Sequence, residues 1–134
     1  MRVKVRRFIS ADEAQSFAFR RIDAAAEKAR ARYVTQGSGQ AMEYEEAYRQ
    51  AEAHRADPSG AYPMLQADVD AGLAENVAQA AQTIIAMRQQ WERVGTQIRA
   101  IRLKAKREIR GANDPAEIAR IRESAVKALG DLHP

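Results

Sequence analysis

Between about residues 75 and 110 one pattern constrains the chain more than any other. Ile84, Met87, Trp91, Val94, Ile98, Ile101 and Ala105 recur at three-and-four spacing over three heptads. A helix brings residues at that spacing onto one face, and a helix of this length runs on the order of 50 Å. An apolar stripe so long has to be covered by other helices or by another copy, as in a coiled-coil seam or a bundle core. The expected fold class is therefore all-α, an elongated helical bundle or helical hairpin with one long helix. Gly95 sits beside the seam, where a missing side chain permits close helix approach at a propensity cost of about 1 kcal/mol.

The flanking sequence supplies shorter helices. Ser10 and Glu13 have the spacing of a capping box, which predicts a helix over about 11–35 with Ala14, Ala18, Ile22, Ala25, Ala29 and Tyr33 as a narrow inward stripe. Gly37, Ser38 and Gly39 break it. A second helix over about 40–56 places Ala41, Tyr44, Tyr48 and Ala51 on one face and Glu43, Glu45, Glu46 and Glu52 elsewhere. Asp57, Pro58, Ser59 and Gly60 are turn residues. Pro63 opens a short helix over about 63–71, the long helix follows over about 75–110, and Asp114, Pro115 and Glu117 start the last over about 115–129. That last helix carries Ile118, Ile121, Ala125 and Leu129 inward. Residues 10–134 read as a single helical domain. Residues 1–9 alternate Val3 and Val5 with Arg2, Lys4 and Arg6, a period-two pattern expected as a flexible or extended basic arm.

Composition removes several chemistries. The 134 residues contain no cysteine, so disulfides and thiolate metal sites are excluded. Neither histidine, His54 or His133, has the partners expected of a general base, and Asp68 and Asp70 are two apart on a helical segment and so diverge. With no phosphate loop, zinc-ligand spacing or nucleophile motif, neither an enzyme nor a cofactor is expected. No run approaches the length of a membrane span or a signal peptide, so synthesis in the cytoplasm without a membrane partner is the expectation.

The formal charge of +4 hides an alternation: +5 over 1–35, −6 over 36–75, +6 over 76–110 and −1 over 111–134. Such segments can neutralise each other within the protein or between copies. Two sets of candidate partner-binding residues follow. The helix seam offers Ile84, Met87, Trp91, Val94, Ile98 and Ile101, as core or interface. The basic arm and the basic end of the long helix offer Arg2, Lys4, Arg6, Arg7, Arg102, Lys106 and Arg110. The second set would suit nucleic acid if it formed one exposed stripe with stacking side chains beside it, but Trp91 is the long helix's lone aromatic and lies in the seam.

The order of segments resembles small structural proteins of tailed bacteriophages and their tail-fibre-associated helical domains. The likeness runs through Tyr33-Val34-Thr35 to Gly39-Gln40-Ala41-Met42-Glu43-Tyr44, then Glu46-Ala47, Ala51-Glu52-Ala53, Asp57-Pro58 and Tyr62-Pro63-Met64-Leu65-Gln66-Ala67. It continues through Ile84, Trp91, Ile98 and Arg102 and finishes at Ile109 and Ala112, spanning most of residues 10 to 125. The resemblance implies a virion-associated structural role in the tail, baseplate or fibre-attachment region, as an adaptor rather than a fibre because no long receptor-binding portion is present. Its expected partners are other phage structural proteins and further copies of itself. A tail-assembly chaperone and a nucleic-acid-binding packaging protein are the alternatives.

Overall fold

The computed structural model describes residues 10–32 and 38–132. It is all-helical over them, with α1 (Ala11–Ala31), α2 (Ser38–Ala56), α3 (Pro63–Asp70), α4 (Val77–Arg110) and α5 (Pro115–Gly130) and no strand among the described residues. The arm expected at 1–9 and the end of the first helix expected at 33–35 lie outside them.

Caps set the helix boundaries. The Ser10 hydroxyl accepts from the Glu13 amide at 3.2 Å at the start of α1, and the Asp114 carboxylate accepts from the Ala116 amide at 3.1 Å at the start of α5, each satisfying a donor that the first turn leaves orphaned. The α4 helix starts at Val77, two residues later than expected, because Asn76 is its cap. The Asn76 Oδ1 accepts from the Gln79 amide at 2.8 Å and Gln79 Oε1 accepts from the Glu75 amide at 2.6 Å. At the end of α3 the chain turns through Gly72, at φ 77°. The Gly72 amide donates to the Val69 carbonyl and the Leu73 amide to that of Asp68, the paired closure that favours glycine at this position.

Where the sequence suggests a single domain, the described residues gather into two compact units: 10–32 with 94–132, and 38–93. The physical reason lies in α4, whose apolar stripe is interrupted. Ala80, Ala81 and Ile84 are buried, then nothing is until Val94, Ile98, Ala105 and Ile109.

The first unit packs α1 and α5 together with the α4 residues from Val94 onward. The buried stripe of α1 is Ala14, Ala18, Ile22, Ala26 and Ala29, so Ala26 takes the inward place expected of Ala25, which is half-buried. Alanines let neighbouring helices approach closely, and Ile98, Ile109, Ile118 and Leu129 fill the space with fully buried side chains. Ile121, expected inward, is half-buried. Side chains also close the helix ends: Gln15 Nε2 donates to the Ile109 and Ala112 carbonyls at 3.0 and 3.3 Å, and Arg32 donates to the Gly130 carbonyl at 3.3 Å.

The second unit has a smaller core of Ala51, Leu65, Ala80, Ala81 and Ile84, flanked by Ala47, Tyr48, Tyr62, Ala74, Val77 and Ile85. Polar side chains knit it. Gln50, on the buried face of α2, accepts from the Met64 amide at 2.9 Å and so caps α3, whose own N-cap residue Tyr62 makes no side-chain cap. Tyr62 instead turns its hydroxyl to the Ala53 and Asp57 carbonyls at the end of α2. A Cβ on Gly60 would lie 2.6 Å from that hydroxyl, which explains the glycine sterically.

Candidate partner-binding surface

The six seam residues divide three ways. Ile84 is buried in the second unit, Val94 and Ile98 are buried in the first, and Ile101 is half-buried. Met87 and Trp91 are 48% and 37% exposed. The seam, expected as core or interface, is core at Ile84, Val94 and Ile98 and partly open to solvent at Met87 and Trp91. Four residues apart, they lie on one face of α4 one turn from each other.

Around them the second unit builds a polar-aromatic frame. Arg88, between the two in sequence, places its guanidinium 4.6 Å from the Tyr48 ring centroid and 5.7 Å from that of Trp91. Its nitrogens pair with Glu45 of α2 and, at 3.2 Å, with Glu92. Cation–π contact and two carboxylates hold this side chain in place although it is on the surface. These pairs raise the Arg88 pKa, the hydrogen bond to Glu45 foremost. The Tyr44 hydroxyl donates to the Met87 sulfur at 3.6 Å. Burial pushes the Tyr44 phenol up, with Arg88 opposing and Asp68 reinforcing. Tyr48 is also raised, by desolvation first and then by its hydrogen bond to Glu52. The tyrosines are thus neutral, amphipathic walls beside an exposed tryptophan and methionine. Of the α2 face expected inward, Ala51 is buried, Tyr44 and Tyr48 are half-buried, and Ala41 is exposed.

The three basic residues expected as a partner-binding set at the end of α4, Arg102, Lys106 and Arg110, all face α1. Lys106 Nζ lies 2.7 and 2.9 Å from the two Asp23 oxygens, and Arg102 lies 3.7 Å from the same carboxylate. Lys106 and Arg110 approach the Phe19 ring of α1 at 5.7 and 5.6 Å. Two of the three cations thus bind helix to helix within the first unit, and Arg110 is turned to an aromatic ring. The Nε of Arg102 is buried without a hydrogen-bond partner. Arg2, Lys4, Arg6 and Arg7 lie outside the described residues.

Sequence reasoning passed over Gln50, Asp23 and Gln15. None has a motif that marks it; each matters through a partner distant in sequence. Among the described residues, no group of three or more histidines, aspartates or glutamates is placed to hold a metal, and no helix is long and apolar enough to cross a membrane. Compared with known proteins, the chain matches no family model, no curated protein and no solved structure.

Proposed function

We propose that this protein is a structural adaptor of a tailed-phage particle, seated in the tail, baseplate or fibre-attachment region, that binds neighbouring chains through helix–helix contacts. The observation that carries the binding mode is the exposed Met87–Trp91 pair, held in a frame of Tyr44, Tyr48 and Arg88. Tryptophan and arginine dominate binding energy where they sit together in a surface that a partner can desolvate. The resemblance of residues 10 to 125 to helical proteins of tailed phages supplies the setting. In this reading α4 is the main contact element and residues 1–9, with Arg2, Lys4, Arg6 and Arg7, reach onto an adjacent protein as a basic arm. The engagement of Arg102 and Lys106 by Asp23 favours this reading over nucleic-acid binding.

The test is mass spectrometry of purified particles, with copy number measured against the major capsid protein. A fixed stoichiometric ratio supports a virion component; absence from the particle transfers the protein to assembly as a chaperone. Trp91→Ala combined with Met87→Ala is expected to keep the helical circular dichroism and to remove the protein from the particle. Incorporation at the normal ratio would refute this surface as the binding site.

A further inference from the structure

The two units carry opposite charge. Over the described residues the first has 14 lysines and arginines against 9 aspartates and glutamates, and the second has 4 against 9. Each also exposes one leucine among charges of its own sign. On the outward face of α4 in the first unit, Leu103 is 42% exposed. Arg99 and Arg107 lie one helical turn to either side of it, both exposed, and no carboxylate among the described residues partners them. In the second unit, Leu73 is 79% exposed just after α3. Asp70 and Glu75 flank it, exposed, with Asp68 nearby in sequence, and no cation among the described residues partners these three acids. Asp70 accepts from the Gln66 amide alone.

We propose that the chain self-associates head to tail, the Leu103 patch of one copy docking on the Leu73 patch of a second. An apolar centre inside a charged rim is the anatomy of a specific interface, and opposite rims give it orientation and a fast encounter. Contact between like patches is disfavoured by repulsion, so each contact joins a Leu103 patch to a Leu73 patch. Every added copy then leaves one patch of each kind open, which closes into a ring or extends as a filament. The inference does not rest on the adaptor reading, since neither patch includes Met87 or Trp91.

The experiment is light scattering on the full chain across salt. At about 0.05 M salt the mass is expected at multiples of 14.9 kDa, falling to the single-chain value at about 1 M, where charges are screened beyond about 3 Å. Two variants then isolate the patches: Arg99→Ala with Leu103→Ser and Arg107→Ala, and Asp70→Ala with Leu73→Ser and Glu75→Ala. All six residues are exposed, and circular dichroism checks that each variant folds. Each alone is expected to stay a single chain at low salt. Mixed, they retain one intact interface between them and are expected to stop at a 1:1 heterodimer. A wild-type monomer at low salt overturns the proposal, including one whose basic patch captures an oligonucleotide instead. Oligomers that persist unchanged at about 1 M salt, or a mixture that stays monomeric, overturn it equally.

Discussion

The two units reach helical packing by different routes. In the unit formed by 10–32 and 94–132, four alanines of α1 are buried beside isoleucines and a leucine from α1, α4 and α5, and the long-range polar contacts lie at helix ends or on the half-exposed Asp23 cluster. In the unit formed by 38–93, the buried core is five residues, and a buried glutamine and a tyrosine hydroxyl hold α2, α3 and the turn between them. The first depends on shape and the second on satisfied backbone groups. They should therefore fail differently: one through cavities, the other through orphaned amides and carbonyls.

The largest effect is expected from cavities. Leu129 and Leu65 are fully buried, one in each unit, and Leu129→Ala or Leu65→Ala should each cost about 2–5 kcal/mol in chemical denaturation. Amide exchange sharpens the comparison. Leu129→Ala is expected to lower protection in 10–32 and 94–132 more than in 38–93, and Leu65→Ala the reverse. Equal losses everywhere would mean that the chain unfolds as one cooperative block.

Next comes Gln50→Ala, which leaves the Met64 amide without its acceptor. An unsatisfied buried donor costs about 1–3 kcal/mol, comparable to the weaker cavity effects although far less apolar volume is removed. Surface glutamines rarely exceed about 0.5 kcal/mol, so a change of that size would show that a water replaces Gln50. Tyr62→Phe is expected to cost less, about 0.5–1.5 kcal/mol, for the loss of the hydroxyl from the Ala53 and Asp57 carbonyls. Gly60→Ala should have a similar effect, since its methyl displaces the same hydroxyl. If the double substitution loses no more than either alone, the coupling between the two positions is established.

This contrast also explains what the sequence disclosed. The caps at Ser10 and Asp114 are local, so they were legible, and so was the all-helical class, which rests on alanine-rich periodicity. The start of α4 was equally local, and Asn76 with Gln79 carries the signal that places it at Val77. The choice between Ala25 and Ala26 was not legible, because three consecutive alanines at 24–26 leave the helical phase open between Ile22 and Ala29. Met87 and Trp91 expose a deeper limit. Spacing tells which residues share a face of one helix, whereas burial depends on whether another element lies over that face. Gln50 and Asp23 are the same problem in polar form, since their partners are 14 and 83 residues away.

The smallest predicted effect tests whether the buried polar contact in the second unit reaches the surface. Glu46 is held at about 2, against an ordinary 4.5, first by its hydrogen bond to Arg49 and then by that to Gln50. A depressed carboxylate contributes stability that is present above the ordinary value and is lost as pH falls from about 4.5 through about 2. The readout is the titration itself: the Glu46 side-chain carboxyl carbon followed by NMR. Arg49→Gln is expected to bring the Glu46 pKa most of the way back to its ordinary value, and Gln50→Ala to raise it by less. That ordering follows from geometry, since Arg49 offers two charged donors and Gln50 one neutral amide at 3.1 Å. A larger rise in Gln50→Ala than in Arg49→Gln would reverse it. It would mean that Gln50, fixed by the Met64 amide, positions the Glu46 carboxylate for Arg49, and that the α3 cap and the surface ion pair act as one unit.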